Sequence, residues 1–370
     1  MIIKKRVLFL VRLPPPMHGA AKMNSLYLNS KILKNEFNIH HIKLNSYSSL
    51  VNNIFKYFLV LFGFFKVLLL LLFKLIFFKP KLVYFEIAPK GGAFYRDSIY
   101  LWICKLFFKK VVCQFHAKGV YSELSLKFKI KYYKSVFKNV KVILLSESLY
   151  SDVSLVIPKS NIFYLPNGIK DELTDIGFKK LCSIKKDSKI LNLLYLSNMI
   201  ETKGSLDVLK ICDLLKNKGI KFKCNFVGNW DSDVFKEKWF LTLKKYNLTE
   251  NCFYLGPKYG SEKNQLLSNV DYLVFPTKYP MECYPLVILE AFMFGVPVLS
   301  YNNGAIKDII NQNYLGFASL NNNYIDLYKY IINNKFTLSQ KIKIRNIFIQ
   351  NHLLIKYEIT LKNIFLSVIK

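Results

Sequence analysis

The chain is short of acid. Its 370 residues hold 24 Asp and Glu against 54 Lys and Arg, a formal charge of +30 carried almost entirely by lysine. Such a field draws polyanions, whether nucleic acid, anionic lipid or phosphorylated substrate, and a coding bias toward Lys, Asn, Ile, Phe and Tyr is a second source of it. Paired cysteines are missing too. The seven at 104, 113, 182, 212, 224, 252 and 283 are scattered, odd in number and free of any Cys-x-x-Cys. That excludes a disulfide framework and a zinc site, and suits small core residues in a reducing compartment. The five histidines are dispersed, so no metal site is expected. There is no Walker A loop, no Gly-x-Gly-x-x-Gly and no low-complexity tail. The N-terminal run MIIKKRVLFLVRLPPP is expected to be a first buried strand rather than a secretory leader, since its apolar part is too short, is interrupted by Arg12 and lacks a small-residue cleavage site.

What is present suits two ordinary domains. Hydrophobic residues make up 52% of the chain and charged ones 21%, enough apolar matter for two cores and too much for disorder. Short apolar runs alternate with helical stretches. Strands are expected at Val7–Val11, Asn38–Leu44, Lys81–Ala88, Lys110–Ala117, Val140–Glu147 and Asn161–Asn167. A second set begins at Ile190–Asn198 and continues through Phe222–Gly228, Cys252–Leu255 and Asp271–Thr277. Pro166-Asn167-Gly168 is a turn signal between the two sets and marks the interdomain linker. The expectation is an α/β fold of two Rossmann-like domains facing a cleft. The first covers residues 1–168, the second 169–352, and a last helix, 353–370, returns to the first domain.

The segment Ile54–Phe78, IFKYFLVLFGFFKVLLLLLFKLIFF, is long enough to span a bilayer. On a helix Lys56 and Lys74 superimpose and Lys66 lies about 80° away, so all three share one stripe. A spanning helix would carry a central lysine at a cost of roughly 2.5–3.5 kcal/mol and would separate the second and third strands. A core helix with a solvated stripe has more apolar surface than one sheet face covers. A helix docked on the sheet and partly sunk in the lipid interface satisfies both facts. Leu124–Lys138 interleaves lysines with aromatics; an anionic lipid surface suits this better than single-stranded nucleic acid, and a plain solvated helix face is nearly as good a reading.

The most informative stretch is Phe275–Val298, FPTKYPMECYPLVILEAFMFGVPV. An apolar strand ends near Thr277, a polar loop carries Glu282, and Pro285 takes the first helical position. The helix LVILEAFMF stops at Gly295, with Pro297 beyond it. Glu282 thus lies in a loop at a strand's carboxyl end and Glu290 in the helix that follows, where open α/β sheets bind ligands. A helix start offers N–H groups to an anion and carboxylates offer acceptors to hydroxyls. Upstream, Lys203-Gly204 precede a helix that Ser205 would cap, and Lys203 would supply a point charge to a diphosphate. His18-Gly19-Ala20-Ala21 form a small-residue loop after the first strand, leading to a helix at Leu26–Leu33, and His116 ends another strand. For each of these single residues a solvated or structural role is the plain alternative.

The pattern Glu282, CYPLVIL, Glu290-Ala291, then Gly295-Val296-Pro297-Val298 resembles the Glu-x7-Glu signature of the retaining family 4 glycosyltransferases. His116 and the loop holding Gly19 are similar to positions in that family's N-terminal domain. Asn198 departs from the Arg usual five residues before the lysine. The resemblance implies the GT-B fold and transfer of a sugar from a UDP- or GDP-sugar donor with retained configuration. The acceptor it implies is a lipid-linked saccharide in bacterial capsule, lipopolysaccharide or glycolipid assembly, with no metal or other cofactor required. It implies further that Glu282, His116 and Lys203 serve catalysis. Glu290, Asn198, Gly19, Cys283, Tyr284, Leu286 and Val287 would hold the nucleotide-sugar. Taken with the apolar helix, the enzyme would sit in the cytoplasm, on the anionic inner face of the membrane. A GT-B epimerase or phosphorylase is the alternative, and a basic nucleic-acid-binding protein a more distant one.

Overall fold

The computed structural model describes residues 4–15, 19–44, 54–183 and 190–370, with side chains from residue 59 onward in the helix that starts at Ile54. The chain divides into two units, Met1–Asn167 with Ile355–Lys370, and Gly168–Leu354. The first break falls within the Pro166-Asn167-Gly168 turn. Both units are Rossmann-like, each with a six-stranded parallel sheet.

In the first unit the order is β1 (Lys5–Arg12), α1 (Gly19–Asn29), α2 (Lys31–Glu36), β2 (Phe37–Leu44), α3 (Ile54–Phe73), β3 (Leu82–Glu86) and α4 (Gly91–Leu106). Then come β4 (Lys110–Gln114), α5 (Val120–Glu123), α6 (Lys127–Phe137), β5 (Lys141–Leu144), α7 (Tyr150–Val153) and β6 (Ile162–Tyr164). The sheet runs β2-β1-β3-β4-β5-β6. Central strands are apolar on both sides because helices cover both sides. Leu8, Leu10, Val83 and Phe85 share a core with Val67 and Leu71 of α3, Leu101 of α4 and Tyr133 of α6. On the opposite face Phe9 and Tyr84 meet Tyr27 of α1 and the chain's last helix.

The second unit holds α8 (Asp175–Ser183), β7 (Leu191–Leu196), α9 (Ser205–Asn217), β8 (Phe222–Val227), α10 (Asp233–Lys245), β9 (Cys252–Tyr254) and α11 (Gly260–Asn269). It continues with β10 (Tyr272–Phe275), α12 (Leu286–Met293), β11 (Val298–Tyr301), α13 (Ile306–Ile309), β12 (Gly316–Ser319), α14 (Tyr324–Asn333) and α15 (Leu338–Asn351). The sheet order is β12-β11-β10-β7-β8-β9. The last helix, α16 (Leu354–Ile369), folds back on the first unit. There Tyr357 stacks on Tyr27 at 4.6 Å and donates to Gln114, while Phe365 packs against Phe9, Phe37 and Tyr84.

Several expectations change. The helix expected at Leu26–Leu33 is two helices, broken at Ser30, whose side chain caps α2 by accepting from Leu33 N at 3.2 Å. Gly19 opens α1 rather than lying in a loop, and His18 falls outside the described residues. The segment Leu59–Phe78 has the length and composition of a membrane span, with a mean hydropathy of 2.6. Yet β2 and β3 on either side of it both pair with β1, so it does not cross. Gly63, Val67, Leu71 and Leu75 form its buried stripe. The lysine stripe also splits. Lys66 is exposed, but Lys74 begins a π-helical turn and reaches His40 Nδ1 at 2.9 Å. The Lys56 side chain lies outside those described. The cysteines are free, and all but Cys182 are buried.

Phe365 is fully buried among three aromatic rings. Phe365→Ala should destabilise the first unit by about 3–5 kcal/mol, read as a lower urea midpoint; an unchanged midpoint would show that α16 does not belong to this core.

Candidate functional site

Renumbered from β7, the second sheet follows the doubly wound order 3-2-1-4-5-6, and its connections part between β7 and β10. Ligands of open sheets bind outside the carboxyl ends of the strands at such a parting. The loop after β7 delivers Lys203 and the loop after β10 delivers Glu282, and these two meet. Lys203 Nζ lies 2.6 Å from Glu282 Oε2, with side chains 14% and 9% exposed. Thr277 Oγ1 donates to the same carboxylate oxygen at 3.1 Å, and the ammonium stands 4.5 Å from the Tyr279 ring centre. Burial of both charges is tolerated because each has the other and a further polar or π partner.

The backbone around this pair is held tightly. Gly204, at φ +88°, is the N-cap of α9, and a Cβ there would stand 2.1 Å from the Pro276 carbonyl. Only glycine fits. Ser205, expected as the cap, is instead the buried first residue of α9 and makes no side-chain cap. Gly304, at φ +61°, abuts the carbonyls of Glu282 and Cys283, while Ala305 N donates to Cys283 O and Asn303 to Tyr279 O. Asp207 in the first turn of α9 accepts from Lys278, Lys210 and Tyr301. Burial pushes its carboxyl up, but these three hydrogen bonds outweigh it and hold the group below its ordinary value.

Pro285 is the N-cap of α12 rather than its first residue, so the helix opens at Leu286 and Val287, both half-buried. Cys283 and Tyr284 before it are buried, and burial raises the Tyr284 phenol. Glu290 pairs with Lys263 of α11 at 2.7 Å, with side chains 11% and 14% exposed. The two glutamates therefore hold separate ammonium partners. Sequence reasoning passed over Lys263, Thr277 and Tyr279; the last two stand within five residues of Glu282, which was the available signal. Asn198 is exposed, and its carbonyl accepts from Tyr195 OH at 3.3 Å. Asp231-Ser232-Asp233 has the spacing of a carboxylate metal grip, but Ser232 caps α10. Among the described residues no three His, Cys, Asp or Glu are placed to hold a metal.

His116 and Gly19 belong to the first unit. His116 lies two residues beyond β4, in the bend before α5. A charge cluster missed in the sequence sits where that sheet's connections part, between β1 and β3. Arg12 reaches Glu86 at 3.2 Å and Asp97 at 3.1 Å. Asp97 also accepts from Arg96 and Ala88 N, and buried Asn24 donates to Glu86.

Residues 181–351, nearly all of the second unit, match the family model described as glycosyl transferases group 1. This stretch is similar to the glycosyltransferase group 1 domain. Protein CapJ of Staphylococcus aureus is 30% identical over 38% of this chain and 36% of its own length. The O-antigen biosynthesis glycosyltransferase WclY of Escherichia coli is 27% identical over 57% of this chain and 58% of its own. The matched stretches thus span between about a third and three fifths of those relatives. Anabaena Alr3699/HepE, solved with UDP and glucose, superposes with a TM-score of 0.68 at 14% identity over 98% of this chain and 99% of its own. The likeness gives the chain the GT-B fold.

Lys203→Met leaves Glu282 buried without its ammonium and should cost about 3 kcal/mol; adding Glu282→Gln should recover part of this, so strictly additive losses in a double-mutant cycle would contradict the pairing. Asp207 gives a pH test. Its depressed value makes a contribution present above the ordinary carboxylate range and lost as pH falls below about 4. Asp207→Asn should flatten the fall of unfolding free energy in that window, and an unaltered slope would contradict the assignment.

Proposed function

We propose that the chain is a retaining glycosyltransferase that moves a sugar from a UDP- or GDP-linked donor to a lipid-linked saccharide acceptor. The observation that carries this reading is the Lys203–Glu282 pair across the parting of β7 and β10. It lies inside the glycosyltransferase group 1 stretch, with Glu290 in the next helix. A solved neighbour that holds UDP and glucose and a relative named for O-antigen biosynthesis support the donor class and the place in surface-polysaccharide assembly.

In this reading the donor diphosphate draws Lys203 from Glu282. Lys203 and the N–H groups of Leu286 and Val287 then take up the negative charge that grows on the leaving diphosphate, the kind of preorganised stabilisation that dominates such reactions. Released from its ammonium, Glu282 accepts hydrogen bonds from hydroxyls of the transferred sugar, and Glu290 accepts from the ribose. Asn198 supplies no cation, so Lys203 carries the diphosphate's charge without the arginine usual in the family. The bond from the anomeric carbon to the diphosphate oxygen breaks, and a bond from that carbon to the acceptor oxygen forms on the same face. The acceptor's proton passes to a donor phosphate oxygen. No metal takes part. A lipid-linked acceptor places the enzyme on the anionic inner face of the cytoplasmic membrane, with α3 in the lipid interface.

Glu290→Ala should weaken donor binding by roughly 10- to 100-fold, the loss of one charge-assisted contact, with the fold intact by circular dichroism. A panel of nucleotide-sugars scored by thermal stabilisation identifies the donor, and its titration against this variant decides. Equal affinity would remove Glu290 from the site.

A further inference from the structure

The first unit carries an outward surface that glycosyl transfer itself does not use. Helices α3, α4 and α6 pack side by side on one face of its sheet, sharing one core. The outer side of α3 and its π-helical end is apolar apart from the exposed Lys66: Phe62, Phe65, Leu69, Phe73 and Phe77 are between 50% and 69% exposed. Helix α4 continues that surface. Tyr95, Ile99, Trp102 and Leu106 stand at helical spacing along its outer line, 38–74% exposed, and Phe108 just beyond is 95% exposed. Helix α6 adds Lys127, Lys131 and Lys134, all exposed, around exposed Phe128. Lys105 ties the last two helices together, donating to the carbonyls of Ser135 and Val136 with its ammonium 4.6 Å from the Trp102 ring.

We infer that α4 and α6 complete, with α3, one continuous seat for an anionic lipid bilayer, in which α3 and the α4 line enter the acyl boundary and the α6 lysines rest on the headgroups. The inference rests on the membrane reading given for α3 above, adds α4 to it, and joins both to α6, whose lysines and aromatics already suited an anionic lipid surface. Apart from Lys66, the three outward faces grade from apolar through aromatic to basic, the order met on crossing from acyl chains through the interface to charged headgroups. Helix α3 and its π-helical end contain no acid, α6 contains none, and the one acid of α4, Asp97, is fully buried. Self-association through this face would bring two lysine-rich rims together on chains of charge +30, which opposes a second copy and favours lipid. Lying flat, the 20-residue α3 covers about 30 Å of membrane.

The test is sedimentation of the full chain with vesicles of phosphatidylcholine alone or with a third phosphatidylglycerol. Four proteins are compared: wild type, Phe65→Gln/Leu69→Gln on α3, Trp102→Gln/Leu106→Gln on α4, and Lys127→Gln/Lys131→Gln/Lys134→Gln on α6. These side chains are exposed, so folding should hold. Wild type should bind anionic vesicles, and the α4 double variant should bind about tenfold or more weakly, as expected when two interfacial side chains are withdrawn. The α6 variant should lose most of its preference for the anionic lipid. Release by the α3 variant with undiminished binding of the α4 and α6 variants would overturn this inference and leave the membrane reading standing. Failure of wild type to bind either vesicle, or a dimer broken by the α4 variant in the absence of lipid, would overturn both.

Discussion

A buried ammonium and carboxylate, held together where two parallel strands send their chains apart, set the terms for the second unit. Buried alone, either charge would lack a compensating partner. Together they require the N-cap glycine at 204, the Thr277 hydroxyl, and a loop pinned from behind by Gly304 and Ala305. The same arrangement can be unmade by an anion. In the proposed reading a diphosphate offers the lysine a stronger partner than one carboxylate and leaves Glu282 with acceptors to spare for sugar hydroxyls. Structure in the unliganded chain and the proposed chemistry in the liganded one would then be two uses of one charge.

The first unit repeats the device with different residues. Where β1 and β3 part, Arg12 binds Glu86 and Asp97, and Asp97 in turn fixes Arg96 and the Ala88 backbone. Burial works against the Arg12 charge, but Glu86 and Asp97 more than offset it and raise the guanidinium above its ordinary value. An open parallel sheet leaves polar backbone and a crevice at its carboxyl edge, so charges collect there in both units. Their partners differ: lysines on loops and helices in the second unit, arginines at a strand end and a helix start in the first.

Much of this was legible in the residues. Strands buried on both faces read as apolar runs, which is why β1 and β7 stand near their expected limits. The Glu282-to-Val298 stretch carried its own punctuation in Pro285, Gly295 and Pro297. Ends were less legible. Pro285 and Gly204 took cap positions, and at Gly204 the cause is close approach of the Pro276 carbonyl beyond β10. α1 and α2 broke at Ser30, a cap that no change in hydrophobic period announces. β12 and α14 went unread, since Gly316–Ser319 is too short and mixed to stand out. The partners of the glutamates were beyond reach, because Lys203 and Glu282 are 79 residues apart and Lys263 lies in a helix with no distinguishing spacing. Likewise, the lysine stripe of α3 assumed a uniform helix, and the π-helical turn at Lys74 moved that ammonium to His40.

The most direct measurement is a crystal structure of the chain with a nucleoside diphosphate bound. The account predicts phosphate oxygens on Lys203 and the start of α12, the ribose hydroxyls on Glu290, and a Lys203–Glu282 separation longer than the 2.6 Å of the free pair. A nucleotide bound elsewhere, or one that leaves that pair intact, would contradict it.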